Sequence, residues 1–281
     1  MLSNSILKQL PFTPQNIAEI HGGDINKAFC ITTGKQRFFL KVNNAVLYPD
    51  MLKREADGLD LLRNHTSLKV PGVIQTGTAG EYQFLLLEWL DEDPGSYAPY
   101  QFGQGIAGLH RVSQAQYGFK ENNYIGSLPQ INTLTPNWPD FYANYRILPL
   151  VKMLFDQHQL SSADIAQAHN FCGAIKDIFP EEKPALLHGD LWSGNYSAIA
   201  GGQTAIFDPA VYYGHREMDI AMTKLFGGFK DEFYTSYHEA YPLENGWLNR
   251  LPYAQLYPLL VHAVLFGGHY TNDVKSILRV F

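Results

Sequence analysis

Apolar runs of strand length alternate with turn residues over the first ninety positions. Residues 17–31 predict a strand, a glycine-bearing turn and a returning strand, and further strands are predicted at 37–42, 70–74 and 82–87. Over residues 50–63, apolar side chains recur at helical spacing instead. The pattern predicts a small antiparallel β lobe that carries one main helix.

The pattern becomes predominantly helical beyond residue 95. Residues 91–95 form an acidic, turn-forming run directly after an apolar strand, and they predict a boundary between a lobe at 1–90 and a larger lobe at 91–281. Helical spacing then recurs over 102–110, 138–155, 165–179, 216–226, 233–241 and 253–270. We therefore expect a bilobal α+β protein whose second lobe is mainly helical.

The segment that joins the two predicted lobes has two interpretations. It can be an interlobe hinge whose backbone hydrogen-bonds the adenine edge of a nucleotide, or a plain loop between domains, and both place the boundary at the same point. On the hinge interpretation, the nucleotide contacts come from Leu87, Glu88, Trp89 and Leu90.

Two apolar runs that each end in a carboxylate form the most specific motif of the chain. The first is Leu-Leu-His-Gly-Asp-Leu-Trp-Ser-Gly-Asn at 186–195, and the second is Ala-Ile-Phe-Asp-Pro at 205–209. In a kinase catalytic loop, an Asp accepts the proton of the attacking hydroxyl and an Asn five residues later holds Mg²⁺. Asp190 and Asn195 have that spacing, and Asp208 takes the place of the second metal-binding carboxylate. Gly-Asp alone is ordinary turn chemistry, but the combined spacing predicts a phosphotransfer centre.

A candidate phosphate-binding pair lies upstream of this motif. Lys41 ends an apolar strand, as the phosphate-binding lysine of a kinase does, although an isolated strand lysine more often faces solvent. Glu55 lies beside the apolar stripe of the following helix, where it could pair with Lys41 or with an exposed cation one helical turn away. The order of the two elements along the chain favours the phosphate-binding pair.

Charge and cysteine content narrow the class of protein. The 281 residues carry a net charge of −6 at pH 7 without blocks of Lys or Arg, which argues against a nucleic acid or an anionic membrane as the main partner. The N-terminal residues lack the pattern of a secretory signal, and no apolar span is long enough to cross a bilayer. Two cysteines give no disulfide framework and no metal-ligand spacing. We expect a cytoplasmic protein.

With these motifs in order, the chain resembles small-molecule kinases of the protein-kinase-like fold, and in its details the fructosamine kinase family. The resemblance rests on the 186–195 loop, on Phe-Asp-Pro-Ala at 207–210, on Tyr-Gly-His-Arg-Glu at 213–217 and on the Gly22-Gly23 turn. It implies ATP-dependent phosphorylation of the 3-hydroxyl of a ketosamine, the Amadori-type adduct of a sugar with an amine, in deglycation. The acceptor would be a small glycated amine or a glycated protein.

The proposed kinase chemistry gives one role to each residue of the motifs. Asp190 would be the catalytic base, Asn195 and Asp208 would hold Mg²⁺, and Lys41, oriented by Glu55, would bind the α- and β-phosphates of ATP. Further candidates are Gly22 and Gly23 against the phosphates, Trp192, His215 and Glu217 in the acceptor pocket, and His188 and Asp219 as supports of the loop.

Three residues carry particular expectations. The indole of Trp192 could stack on the acceptor or pack between elements of the fold. Glu217 would attract the cationic amine of a ketosamine. Asp24 stands where several family members carry a Cys that is linked to redox-sensitive dimerisation. We therefore expect no disulfide switch, and a monomer or a weak dimer.

Other functions fit parts of the same pattern. A kinase for another small alcohol, such as an aminoglycoside or choline kinase, shares the fold, and the fold alone does not decide the acceptor. A protein kinase fits less well, because His-Gly-Asp replaces His-Arg-Asp and no Ala-Pro-Glu follows Asp208. A non-catalytic pseudokinase fits least, because the lysine and both aspartates are retained.

Overall fold

The computed structural model describes residues 2–20 and 25–281 and divides into two compact units. The first unit comprises residues 1–98 and 195–209, and the second comprises 99–194 and 210–281. Gly22, Gly23 and Asp24 of the predicted phosphate turn lie outside the described residues. The lobe boundary predicted after residue 90 stays a prediction.

The strands of the described residues are, in chain order, β1 Asn16–Ile20, β2 Lys27–Thr33, β3 Gln36–Asn44, β4 Val73–Ala79, β5 Tyr82–Glu88, β6 Asn123–Ile125, β7 Leu128–Gln130, β8 Ala185–Leu187, β9 Tyr196–Ile199, β10 Gln203–Ile206 and β11 Tyr212–Gly214. The α-helices are α1 Asn4–Leu7, α2 Met51–His65, α3 Pro99–His110, α4 Trp138–Tyr142, α5 Leu148–Asp156, α6 Ser162–Ile178, α7 Glu217–Leu225, α8 Asp231–Ala240, α9 Trp247–Phe266 and α10 His269–Leu278. No helix among them is long and apolar enough to cross a membrane.

The first unit is built on a five-stranded antiparallel sheet in the order β1-β2-β3-β5-β4. Helix α2 packs on this sheet and buries the apolar stripe predicted from its spacing, including Leu52, Leu59 and Leu62. The register places Lys41 of β3 between Ala28 of β2 and Leu85 of β5. The predicted β lobe with one main helix is therefore confirmed.

Strand β4 begins later than the sequence predicts. Strand pairing starts at Val73 rather than at residue 70, because Pro71 has no N–H and the N–H of Gly72 is bonded to the Glu88 carboxylate at 3.0 Å. At its other end β4 continues to Ala79, which pairs with Tyr82 of β5.

A second hairpin, β9 and β10, also belongs to the first unit. Its tight turn uses Gly201 and Gly202, whose φ angles of 85° and 73° suit glycine. The backbone of Lys69 holds β10 through hydrogen bonds at 3.0 Å to Thr204 and 2.9 Å to Ile206. The hairpin thereby delivers Phe207 and Asp208 at the end of an anchored strand.

The second unit is mainly helical, as predicted. Helix α6 begins with a capping box, in which Ser161 and Asp164 satisfy each other's backbone N–H groups. The segment predicted as one helix at 138–155 is α4, a π-helical turn at Ala143–Ile147, and α5. The segment predicted at 253–270 is two helices, because Gly267 and Gly268 have φ angles of 64° and 66° that an α-helix does not accept.

A short antiparallel pair, β8 and β11, positions the catalytic-loop motif in the second unit. Tyr212 of β11 pairs with Leu187 of β8, and all six residues of the two strands are buried. The hairpin of β6 and β7 was not expected from the sequence, since each strand has only three residues. Short strands of this kind carry too little periodicity to be recognised.

Candidate active site

The side chain of Lys41 lies between two carboxylates of the first unit. Its Nζ is 2.7 Å from Glu55 Oε1 and 2.5 Å from Asp208 Oδ1, and only 6% of the side chain is exposed. Burial by itself lowers the pKa of Lys41, but the charges of Asp208 and Glu55 outweigh it and hold the pKa above its ordinary value. The lysine therefore remains a cation that is fixed in position.

The three residues of this cluster lie in elements with different local structures. Lys41 is buried in β3 at the centre of the sheet, and Glu55 lies on the face of α2 that carries the buried residues Leu52 and Ala56. Asp208 follows β10 with a φ angle of 57°, a left-handed conformation that Asp and Asn tolerate better than other non-glycine residues. The Lys41–Glu55 contact agrees with the pairing expected from the order of the two elements.

Asp208 and the neighbouring Asn195 carry side-chain oxygen atoms that suit a hard cation. The side chain of Asp208 is 44% exposed although its partner Lys41 is buried. Asn195 is buried nearby, with its backbone carbonyl bonded to the Phe207 N–H at 3.1 Å and its Nδ2 3.5 Å from the Asp208 carbonyl oxygen. Mg²⁺ is held through one or two carboxylates together with phosphate oxygens and waters, so a carboxylate and a carboxamide oxygen are a fitting donor set. The described residues contain no cluster of three or more His, Cys, Asp or Glu that could hold a metal.

The predicted hinge residues have their side chains engaged within the first unit. The Glu88 carboxylate binds Lys69 Nζ at 2.7 Å, and hydrogen bonds from Lys69 and Gly72 outweigh partial burial and hold its pKa below the ordinary value. The indole of Trp89 lies under the Arg37 guanidinium at 5.0 Å. Leu87 is buried in β5. Any contact of this segment with an adenine edge is therefore left to its backbone groups.

In the second unit, the loop that carries Asp190 begins directly after β8. Gly189 has a φ angle of 84°, and a Cβ at this position would lie 2.0 Å from the Ala210 carbonyl oxygen. The Ala210 N–H in turn donates to the His188 carbonyl at 2.9 Å. The Asp190 N–H donates to His188 Nδ1 at 3.3 Å. Only glycine fits the close approach of these two backbones, which fixes the turn that presents Asp190.

Asp219 supports this loop from the start of α7. The carboxylate accepts the N–H of His188 at 2.7 Å and the N–H of Gly189 at 2.9 Å. His110 Nε2 lies 3.2 Å from the same carboxylate, and His110 Nδ1 lies 2.8 Å from the Tyr237 hydroxyl. The contacts agree with the supporting role expected of Asp219. His110 and Tyr237 were not predicted, because neither lies in a motif and α3 and α8 meet only through tertiary packing.

Trp192 folds back over its own loop. A Cβ on Gly194 would lie 2.4 Å from the indole ring, and the ring meets Phe226 edge-on with centroids 5.9 Å apart. The side chain is only partly buried. One face of the indole therefore packs on the loop while part of the ring stays accessible, so the two interpretations given to Trp192 are compatible.

His215 and Glu217 do not face an acceptor pocket in the second unit, contrary to expectation. The Glu217 carboxylate is buried in an ion pair with Arg250, with Nη2 at 2.5 Å from Oε1. His215 is fully buried between the rings of Trp138 and Phe179, and its Nε2 lies 3.2 Å from the Pro180 carbonyl oxygen. Burial lowers the pKa of His215 despite the nearby Glu182 and Glu217 carboxylates, so its imidazole is neutral. Both side chains are already satisfied inside the unit, and we assign them a structural role instead.

A small cavity of about 30 Å³ lies next to Asp190 within the second unit. Its walls are mostly apolar and come from α7, α9, the strands β6 and β11 and the loop after β8. The residues that line it are Ile125, Gly189, Asp190, Tyr212, Met218, Asp219, Met222, Ala254, Tyr257, Pro258, Val261 and His262. His262 was not predicted as a site residue, since it lies some seventy positions beyond the catalytic-loop motif in an apolar stretch of α9.

Comparison with known proteins identifies relatives along the full length of the chain. A profile of the fructosamine kinase family matches residues 3–281. A protein named probable ketoamine kinase from Lactiplantibacillus plantarum is 41% identical over 285 residues, which cover 100% of this chain and 99% of that relative. A crystal structure assigned as a fructosamine-3-kinase from Thermobifida fusca superposes with a TM-score of 0.85 at 33% identity, over 95% of this chain and 93% of its own.

An aminoglycoside phosphotransferase structure also has this architecture. It superposes with a TM-score of 0.64 at 14% identity and covers 99% of both chains, a likeness of fold alone. The kinase-like fold predicted from the sequence is therefore confirmed.

Proposed function

Because the chain belongs to the fructosamine kinase family of ATP-dependent phosphotransferases, we propose that it transfers the γ-phosphoryl group of ATP to the 3-hydroxyl of a ketosamine. Relatives named for ketoamine and fructosamine-3 phosphorylation support this acceptor class. The reaction would act on Amadori-type adducts and so contribute to deglycation. Both fructosamines and ribulosamines belong to this class, and either a small glycated amine or a glycated protein could be the physiological acceptor.

The observation that carries the proposal is the position of Lys41 between Glu55 and Asp208. A phosphotransferase stabilises charge on the phosphates with a fixed cation, and this cation needs an orienting carboxylate. Glu55 is nearly buried and supplies that carboxylate, whereas Asp208 is the more exposed of the two. In our proposal, Lys41 binds the α- and β-phosphates and Glu55 keeps it in place.

Asp208 and Asn195 would hold Mg²⁺ in the working enzyme. The metal supplies charge neutralisation on the phosphate oxygens when it is bound. The carboxylate of Asp208 is 44% exposed, so it would be accessible to a metal ion beside Lys41. Gly22 and Gly23 stay candidates for backbone contacts with the phosphates, and the backbone of residues 87–90 stays a candidate for the adenine.

Asp190 would act on the acceptor hydroxyl. A positioned carboxylate orients the hydroxyl and takes its proton late in the transfer, which contributes about 10²–10⁴-fold to the rate. The neighbouring backbone supports this role, since Asp219, Gly189 and Ala210 hold the loop rigidly. Trp192 would contact the acceptor with the accessible part of its ring. We further propose a cytoplasmic monomer or weak dimer.

The test is Mg²⁺-dependent ATP consumption by the purified protein with ribulose-lysine, fructose-lysine and choline as separate acceptors. We expect turnover on one or both ketosamines, none on choline, and a loss of about 10²–10⁴-fold in kcat for Asp190→Asn with little change in KM for ATP. Phosphate at the 3-position is then located by NMR of the product.

Asp177→Asn, at an exposed position on α6, is the matched control and should behave as the wild type. Turnover of choline alone would show that the acceptor is another alcohol and not a ketosamine. Binding of ATP without turnover of any acceptor would contradict the proposed phosphotransfer.

A further inference from the structure

His262 is one of the polar side chains that line the cavity beside Asp190. The Asp219 carboxylate accepts two backbone N–H groups, and the Tyr257 hydroxyl donates to Gln130 Oε1 at 2.7 Å. The remaining walls are mainly aliphatic and thioether side chains. A group that enters this cavity beside Asp190 therefore meets the imidazole of His262.

The hydrogen bond at Nδ1 determines which nitrogen of His262 carries the proton. Nδ1 lies 2.8 Å from the carbonyl oxygen of Pro258, one helical turn earlier in α9. A carbonyl oxygen can only accept, so Nδ1 is the donor and Nε2 of the neutral ring carries a lone pair. Burial lowers the pKa of His262 and keeps the imidazole neutral. Within the described ranges 2–20 and 25–281, no protein group donates to Nε2.

Aromatic neighbours fix the orientation of this ring. The centroid of the imidazole lies 4.6 Å from that of Phe226, 5.0 Å from Tyr270 and 5.6 Å from Phe266. Phe226 also meets Trp192 of the catalytic loop. Aromatic packing and the hydrogen bond to Pro258 thus fix the imidazole ring of His262. The direction of the Nε2 lone pair is fixed with it, as expected of a preorganised acceptor.

The chemistry of the cavity suits a hydroxyl group. A neutral O–H can donate to the lone pair of Nε2, and this hydrogen bond compensates for its burial among mainly apolar walls. A volume of about 30 Å³ accommodates a group about the size of one water molecule. A hydroxyl group has this size and carries one donor for Nε2.

We infer that His262 is a specificity-determining residue whose Nε2 accepts a hydrogen bond from a second hydroxyl of the acceptor, the neighbour of the hydroxyl that is phosphorylated. The inference rests on the proposed function, in which Asp190 takes the first hydroxyl. It makes a sugar with adjacent hydroxyls the required acceptor. A simple amino alcohol such as choline offers no such second donor.

The test is a cycle of two enzymes and two acceptors. The acceptors are ribulose-lysine and its deoxy analogue, which lacks the hydroxyl on the far side of the phosphorylated position. The enzymes are the wild type and His262→Phe, which keeps an aromatic ring and removes the lone pair. For the wild type we expect kcat/KM to fall by about 10–100-fold on the analogue, mostly through KM. His262→Phe should show the same fall on ribulose-lysine and no further fall on the analogue.

Two further variants sharpen this comparison. His262→Gln keeps an acceptor oxygen and should recover part of the discrimination, and His269→Phe, at an exposed position of α10, should leave it unchanged. KM for ATP should stay constant throughout. As a check that needs no variant, the nitrogen NMR signal of His262 Nε2 should shift with ribulose-lysine and not with the analogue.

The outcomes separate the two proposals. If His262→Phe discriminates between the acceptors as strongly as the wild type, and Nε2 does not respond to ribulose-lysine, His262 does not recognise the second hydroxyl and this inference fails alone. If the wild type turns over neither acceptor but phosphorylates another alcohol, the proposed function fails and the inference fails with it.

Discussion

The carboxylate of Asp219 accepts the backbone N–H of His188 at 2.7 Å. Its second oxygen accepts the N–H of Gly189, so one buried side chain satisfies the backbone where β8 ends. A strand that ends inside a protein leaves such N–H groups without strand partners, and each would be costly if unpaired. The position of Asp190, the next residue along the chain, therefore depends on Asp219.

We predict that Asp219→Asn lowers both stability and rate. An amide has one acceptor oxygen, and its NH₂ would oppose a backbone N–H, so the free energy of unfolding should fall by about 1–3 kcal/mol. Misplacement of Asp190 should reduce kcat by about 10²-fold. KM for ATP should be unchanged, because the Lys41 ion pairs belong to the other unit.

Denaturant unfolding and steady-state kinetics measure these effects. The exposed control Asp177→Asn should alter neither quantity. If stability falls while kcat is retained, Asp219 holds the fold but does not position the base.

We predict that Asp208→Asn raises the Mg²⁺ requirement. Asn keeps the size of the side chain and tolerates the φ angle of 57°, so the change isolates one negative charge. The Mg²⁺ concentration for half-maximal rate should rise by at least about 10-fold, and kcat should fall by about 10²-fold or more, because a ligand of the metal is weakened.

A Mg²⁺ titration of initial rates at saturating ATP tests this prediction. Asp60→Asn removes a carboxylate of α2 that pairs with Arg63 at the surface, and it should leave the titration unchanged. A lower rate with an unaltered Mg²⁺ dependence would show that Asp208 serves Lys41 rather than the metal.

Gly189→Ala should be far more damaging than an alanine at another glycine of the same unit. The new Cβ would lie 2.0 Å from the Ala210 carbonyl oxygen, and the φ angle of 84° is unfavourable for alanine. We expect a loss of more than about 2 kcal/mol in unfolding free energy, or a shifted loop with kcat reduced by about 10²-fold.

Gly108→Ala is the matched control. Gly108 lies within α3, and a Cβ there would meet no atom within 4 Å. The substitution should stabilise the protein by about 0.5–1 kcal/mol, because alanine favours the helix. Thermal unfolding and activity of the two variants decide the matter, and equal behaviour would mean that the Gly189 turn is not tightly constrained.

Local patterns in the sequence were sufficient to predict the elements that carry Lys41, Glu55 and Asp190. The strand before Lys41 and the apolar stripe beside Glu55 predicted both elements, and the paired apolar runs predicted the loop of Asp190. Continuous apolar runs, helical spacing and a motif of fixed spacing can all be recognised without tertiary information.

Contacts between distant elements could not be obtained in this way. His110 reaches Asp219 across 109 positions, and His262 reaches the cavity from α9. Proximity in sequence also misdirected the expectation for Glu217. It follows Asp208 by only nine residues, yet β11 and the start of α7 turn it inward to Arg250. A contact between two helices, such as that of Glu217 with Arg250, depends on tertiary packing. A single sequence carries no pattern that reveals such packing.

The ion pair of Glu182 and Arg216 should make stability depend on pH. The guanidinium binds the carboxylate through Nε and Nη2 at 2.8–3.0 Å. Burial by itself raises the pKa of Glu182, but the hydrogen bonds from Arg216 outweigh it and hold the pKa below the ordinary 4.5. A carboxyl whose pKa is lowered by folding contributes stability that is fully present above its unfolded pKa and is lost as pH falls through the folded pKa.

We therefore predict that Glu182→Gln costs about 1–3 kcal/mol of unfolding free energy at pH 7, and that this difference from the wild type shrinks once the pH falls below 4.5. Unfolding of both proteins in denaturant at a series of pH values measures this difference in unfolding free energy. The adjacent Glu181→Gln removes an equal charge from an exposed side chain and should give a difference near zero at every pH. A Glu182→Gln difference that stayed constant down to acidic pH would mean that the shape of the side chain, and not its charge, holds Arg216.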